Sequence, residues 1–212
     1  MQKKTVLLDF DGTIIDSIPW IVAALNKLAP SYGKKPISNE EFEALRSFTV
    51  TQLLRKFDLP FYQIPLMAIQ ARREVFRDID KMDLCRGMKE ALFTLKDKGY
   101  RLGIVSSSPK KNIEFVLKKF GLTMIEFVNS ELNIFGKAAE LNKACAQYSI
   151  DKETAVYVGD EIRDVEASNK AGIDIVSVTW GFNNYEGLTL HGAKYLATTA
   201  DELLDTIYDF GL

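Results

Sequence analysis

The sequence predicts an α/β fold, a three-layer sandwich with a central parallel sheet covered by helices on both faces and an inserted α-helical module. Three observations carry this expectation. Strand-like and helical runs alternate from about residue 85 onward. Punctuation is uneven: five of the six prolines (Pro19, Pro30, Pro36, Pro60, Pro65) lie between 19 and 65, and Gly33 is the only glycine between Gly12 and Gly87. Three strand-like runs end in polar clusters, as expected where ligands sit at the carboxyl ends of parallel strands. Residues 1–15 and 85–212 therefore read as the sheet domain, and 16–84 as the insert.

Thr5–Phe10 is a short apolar strand. The insert follows and reads as helices: Ile18, Ile21, Leu25 and Leu28 share one face, and Ser38 with Glu41 makes a capping box. Leu53, Leu54 and Phe57 form a third stripe, and Leu66, Ile69, Phe76 and Ile79 a longer one. Met88, Ala91, Leu92 and Leu95 then mark an amphipathic helix ended by Gly99. Tyr100–Val105 reads as a strand, after which Ser108 caps and Pro109 opens a helix with Ile113, Val116, Leu117 and Phe120 inward. Ile125–Val128 is a strand, and Leu141, Ala144, Cys145 and Tyr148 are a helical stripe. The strand Ala155–Val158, helix Ile162–Ala171 and strand Ile173–Val178 follow. Lys194–Ala197 is a last strand, and Thr199 with Glu202 caps a closing helix.

Composition excludes several classes. The 212 residues are 47% hydrophobic and 26% charged, enough for a sizeable core without disulfide or metal staples. A net charge of −2 gives no general attraction to nucleic acid or anionic membrane. The longest apolar run, Ile18 to Leu25, is far short of a membrane span. Lys3 and Lys4 precede an apolar stretch that meets Asp9 at once, which is not a secretory signal. Cys85 and Cys145 are too few for a disulfide framework, so a cytoplasmic location is expected. The single His191, in the turn Leu190-His191-Gly192, leaves no basis for a His- or Cys-rich zinc site. Chemistry then falls to carboxylates, hydroxyls, lysine and a hard metal.

The first strand ends in Asp9-Phe10-Asp11-Gly12-Thr13, two carboxylates that point the same way if the strand continues. Leu102–Val105 ends in Ser106-Ser107-Ser108-Pro109, which leaves the Ser106 and Ser107 hydroxyls near an anion-favouring helix start. Val156–Val158 ends in Gly159-Asp160-Glu161-Ile162-Arg163-Asp164 and adds Asp160 and Asp164 to the same rim. Such an acid cluster calls for a cation, and an all-oxygen site suits Mg²⁺ bridging to phosphate. Lys137, after Gly136 at a helix start, is a candidate fixed positive charge.

At these residues the chain resembles the haloacid dehalogenase-like (HAD) phosphohydrolases, particularly the phosphoglycolate phosphatase-like branch. The four motifs are Asp9-Phe10-Asp11-Gly12-Thr13, Ser106 after Gly103-Ile104-Val105, Lys137, and Gly159-Asp160 with Asp164. Many relatives carry Pro after the third-motif Lys, where this chain has Ala138. The family's dehalogenases lack the second Asp, so Asp11 argues for phosphoryl transfer. The resemblance implies a Rossmann-type HAD fold and a mobile helical cap at 16–84. It also implies a Mg²⁺-dependent phosphatase acting on a small phosphorylated metabolite. Asp9 would be the nucleophile that forms an aspartyl-phosphate, and Asp11 the acid and base. Asp9, the Asp11 carbonyl, Asp160 and Asp164 would hold the metal, and Ser106, Ser107 and Lys137 the phosphate. A sugar phosphomutase of the same fold carries the same motifs. A non-catalytic phosphoryl-binding protein would be favoured by loss of Asp9 or Asp11, and both are present. No motif sets an oligomeric state.

Outside these motifs, Trp20 reads as core and Arg46 as surface, with contact to the leaving group as the alternative for both. Arg72-Arg73 reads as a solvated helix face. Thr179-Trp180-Gly181-Phe182 either walls the site or packs as a loop.

Overall fold

The computed structural model describes residues 4–131 and 136–210. Lys3 lies outside them. Six parallel strands form one sheet: β1 (Thr5–Leu8), β2 (Arg101–Ser106), β3 (Ile125–Ser130), β4 (Ala155–Gly159), β5 (Asp174–Val178) and β6 (Tyr195–Ala197). Their spatial order is β3-β2-β1-β4-β5-β6, that of the dinucleotide-binding folds. The chain moves outward in one direction from β1 to β3, then returns to place β4 on the other side of β1. The crevice where the order reverses therefore opens beyond the ends of β1 and β4.

Alternation along β1 explains the three layers. Val6 and Leu8 face one core and Leu7 the other, so the strand is apolar throughout because both faces are covered. On the first face lie α5 (Met88–Asp97), α6 (Lys110–Phe120) and α10 (Ala200–Asp209), contributing Leu92, Leu95, Ile113, Leu203 and Ile207. On the second lie α7 (Lys137–Gln147), α8 (Ile162–Ala171) and the short α9 (Tyr185–Leu190), with Leu141, Val165 and Leu188. The sequence reading missed α9: it is a single short turn pair, started by Asn184 accepting from the Gly187 N–H at 2.9 Å.

Between β1 and α5 come α1 (Ile18–Leu28), α2 (Asn39–Leu45), α3 (Val50–Lys56) and α4 (Ile64–Val75). The segment leaves and re-enters at one place. Ile15 pairs with Leu84, the Asp16 N–H donates to Asp83 O at 2.9 Å, and the Cys85 N–H donates to Ile14 O at 2.9 Å. Ser38 and Glu41 close as a capping box at α2, and Thr49 with Gln52 does the same at α3.

The expected stripe Leu66, Ile69, Phe76 and Ile79 divides: Phe76 and Ile79, past the end of α4, pack partly buried against the core, and the half on α4 is a correction. Leu66 and Ile69 are 56% and 51% exposed, while Ile64 and Val75 are the buried residues. Helix α4 packs against α1, and its outer face has no further layer to bury it. Inside the segment, an apolar cavity of about 230 Å³ is lined by Leu25, Leu53, Leu54, Phe57 and Met67 from the helices and by Phe182 from the sheet domain. Trp20 packs against the core, half-buried. Cys85 and Cys145 are both free and buried. Among the described residues, no helix is long and apolar enough to cross a membrane.

Candidate active site

Strand β1 stops at Leu8, two residues earlier than expected, although the Asp9 N–H still donates to Val158 O at 2.8 Å. The chain then curls: Phe10 O accepts from both the Ile14 and Ile15 N–H groups. Asp9 and Asp11 consequently meet different partners. Asp9 Oδ1 accepts from the Phe10 N–H at 2.7 Å, and its Oδ2 pairs with Lys137 Nζ. Asp11 Oδ2 accepts from the Ser108 hydroxyl, and its Oδ1 is buried with no partner among the described residues. Burial raises the Asp11 pKa; Ser108 opposes the shift and the Asp9 charge adds to it.

Ser108 is the second correction. Helix α6 begins at Lys110 after Pro109, with no side-chain cap, and the Ser108 hydroxyl goes instead to a carboxylate 97 residues away in sequence. The Ser108 N–H donates to Ser106 Oγ at 3.2 Å, which fixes the buried Ser106 hydroxyl at the end of β2. Ser107, between them, is half-buried.

Asp160 follows β4 directly and is buried. Among the described residues its carboxylate receives neutral donors: the Thr13 hydroxyl on Oδ1 at 2.8 Å and the Phe182 N–H on Oδ2 at 2.7 Å. Burial, with the charges of Glu161, Asp164 and Asp9, pushes its pKa well up. Two glycines make room for it. A Cβ on Gly12 or on Gly181 would collide with the Asp160 side chain, and Gly12 also turns the chain at φ +71°. Thus Thr179-Trp180-Gly181-Phe182 does wall the site, and Trp180 Nε1 donates to Thr13 O at 3.3 Å.

Asp164 sits one helical turn on, with both oxygens already bound by protein. Its Oδ2 accepts from the Asp160 and Glu161 N–H groups at 3.2 and 3.0 Å, and its Oδ1 pairs with Lys137 at 2.8 Å and accepts from Tyr157 at 3.4 Å. Burial disfavours its charge, but Lys137 and Arg163 outweigh that and hold its pKa down. Lys137 opens α7 fully inside the protein. Burial disfavours its charge too, yet the Asp164 and Asp9 carboxylates raise its pKa.

Acid oxygens from Asp9, Asp160 and Asp164 all lie within 4.8 Å of one another. Lys137 offsets Asp9 and Asp164, and among the described residues no cationic side chain pairs with Asp160. A hard, oxygen-seeking divalent ion fits this donor set. The Asp11 carboxylate stands outside the trio.

Two arginines depart from the surface reading. Arg46 has a side chain only 15% exposed, and its guanidinium donates to the carbonyls of Thr179, Gly181 and Phe182 at 2.8, 2.8 and 3.3 Å. Arg72 is half-buried while Arg73 is exposed. Burial and the nearby Arg163 charge lower the Arg72 pKa, against the pull of Asp11. Arg163 pairs with Glu161 at 2.5 Å. Its partners are acids of the same rim, which the Glu161-Ile162-Arg163-Asp164 spacing could have signalled. His191 remains a helix-end residue, its Nδ1 2.8 Å from Gly187 O.

A crevice at the point of strand reversal, lined by carboxylates and one buried lysine, defines a hydrolase site of the acidic, oxygen-donor type. The chain belongs to the haloacid dehalogenase-like hydrolases, whose family model matches residues 6–178. It is 32% identical to a phosphoglycolate phosphatase of Synechococcus elongatus over 96% of this chain and 97% of that protein. It is 23% identical to an N-acetylmuramic acid 6-phosphate phosphatase of Pseudomonas aeruginosa, over 98% and 96% of the two chains. The crystal structure of a predicted phosphatase from Clostridium acetobutylicum superposes with a TM-score of 0.83, at 22% identity, covering 99% of this chain and 100% of that one. The expected HAD-like α/β fold is therefore the fold of this chain.

Proposed function

We propose that this chain is a Mg²⁺-dependent phosphatase that hydrolyses a small phosphate monoester through an aspartyl-phosphate on Asp9. The observation that carries the reading is the buried Lys137 bound to Asp9 beside an Asp160 carboxylate that, among the described residues, has neutral donors. The similarity to phosphoglycolate phosphatases supports the substrate class.

Asp9 and Asp160, with the Asp11 backbone carbonyl, would hold the metal, and Asp164 stands behind them, orienting Lys137 and the Asp160–Glu161 backbone. Bound there, Mg²⁺ would offset phosphoryl charge and align the group for displacement. An Asp9 carboxylate oxygen attacks phosphorus, and the bond to the leaving oxygen breaks. That oxygen takes its proton from Asp11, whose raised pKa favours the acid form. Asp11, now ionised, removes a proton from water, which attacks phosphorus; the acyl-phosphate bond breaks and Asp9 returns as carboxylate. Ser106, Ser107 and Lys137 bind the phosphoryl oxygens. Residues 16–84 act as a cap that closes over the crevice and excludes water, hinging where Ile15 pairs with Leu84.

The test is a panel of phosphorylated metabolites that includes phosphoglycolate, assayed for phosphate release. Release should need Mg²⁺, stop in chelator, return when Mg²⁺ is restored, and be poorly supported by the larger, looser Ca²⁺. Full activity in chelator contradicts the metal assignment. An isomerised sugar phosphate without phosphate release assigns the chain as a phosphomutase instead.

A further inference from the structure

We infer that Arg46 is a positioning residue that couples the helical segment to the Asp160 carboxylate through the loop 179–184. The inference rests on the reading of Asp160 as a metal ligand. Its starting point is the unusual setting of Arg46. The residue lies just past α2, on the insert, yet its guanidinium spans the carbonyls of Thr179, Gly181 and Phe182 in the sheet domain. A planar fork of several donors can satisfy three carbonyls at once.

The contact is reciprocal. Asn183 donates its side-chain amide to the carbonyls of Arg46 and Phe48 at 2.7 and 3.1 Å, and the Asn184 N–H donates to Arg46 O at 3.1 Å. The Phe182 ring meets Phe42 edge-on at 6.0 Å and lines the apolar cavity of the insert. The segment thus grips this loop with side chain, backbone and ring.

The other side of the same residues is fastened to Asp160. The Phe182 N–H donates to Asp160 Oδ2 at 2.7 Å, and the Asn183 N–H donates to Asp160 O at 3.1 Å. Asn183 Oδ1 accepts from the Ile162 N–H at 2.8 Å, at the first residue of α8. Gly181 packs so closely on Asp160 that a Cβ there would strike it. Phe182 and Asn183 therefore each touch the insert with one group and Asp160 with another. Moving residues 46–48 away releases the donor that orients Oδ2. The insert is joined to the sheet domain by this latch as well as by its two crossing strands, and its docked position sets the geometry of an acid in the site.

The experiment titrates Mn²⁺, an oxygen-seeking stand-in for Mg²⁺, into the full chain and follows its EPR signal. Arg46→Ala should weaken Mn²⁺ binding by about 10–100-fold, the range for groups that orient metal ligands. Arg46→Lys should lie between, and millimolar guanidinium ion should restore part of the loss in Arg46→Ala. Gly187→Ala approaches the contact from the other side and leaves Arg46 unchanged: its Cβ would come within 2.6 Å of Ser47 Cα and 3.0 Å of Arg46 O. It should weaken Mn²⁺ binding in the same direction. Linkage gives a third reading on the unaltered chain: metal should slow hydrogen exchange at the Phe182 and Asn184 amides. Unchanged affinity in folded Arg46→Ala or Gly187→Ala, or unchanged exchange at those two amides when metal binds, overturns the inference while the site stands. An unaltered chain that binds no Mn²⁺ overturns the site reading and the inference together.

Discussion

The parallel sheet and the helical segment 16–84 hold their residues by different means. All four residues of β1 are buried, and the sheet packs on both faces against side chains such as Leu92, Leu95, Leu141 and Leu203 with no exposed surface. In the segment, α3 has no fully buried residue, α4 leaves Leu66 and Ile69 in solvent, and a partly open apolar pocket lies between its helices and Phe182. A close-packed sheet can hold acid oxygens of Asp9, Asp160 and Asp164 within 4.8 Å of one another and bring Lys137 onto two of them. The more loosely packed segment is fastened to that framework at its crossing strands and at Arg46, whose loop partners also hold the Asp160 carboxylate.

The largest effect expected from breaking the rigid side is chemical. Asp9→Asn removes the attacking oxygen and should cut phosphate release by on the order of 10⁴–10⁶-fold in a steady-state assay, with the fold intact by circular dichroism. Next comes packing. Leu95→Ala, at a site with 0% exposure, should lower stability by about 2–5 kcal/mol in denaturant unfolding. The same substitution at Leu66, on the exposed face of α4, should change it by no more than about 0.5 kcal/mol. Equal losses at the two leucines would erase the contrast between the regions.

The same contrast governs what could be read from the sequence. All six strands were legible because each is an apolar run between helical stripes, and Asp9 and Asp160 were legible because such runs stop at them. The sheet order then brings those two strand ends together. Ser108 was misread because a serine before proline and a helix obeys a local capping rule, whereas its partner, Asp11, lies far away in sequence. Arg46 was misread because Glu43, its i,i+3 ion-pair partner at 2.9 Å, reads as a surface pair, while its sheet-domain partners are backbone carbonyls that carry no residue signature. The stripe Leu66, Ile69, Phe76 and Ile79 held only in its second half, because periodicity predicts a face and a covering layer, present at Phe76 and Ile79, decides whether it is buried.

The central claim is that the two motif carboxylates do different work, as their different partners suggest. The direct measurement is rapid-quench intact mass of Asp9→Asn and Asp11→Asn with a nitrophenyl phosphate. That leaving group needs little protonation, so Asp11→Asn should still form a phosphorylated chain and then stall, because no base activates water. With a poor alkoxide leaving group, the first step in the same variant should fall by about 10²–10⁴-fold. Asp9→Asn should never gain the mass of a phosphoryl group. A phosphorylated Asp9→Asn chain, or equal loss of the first step for both leaving groups in Asp11→Asn, would contradict the account.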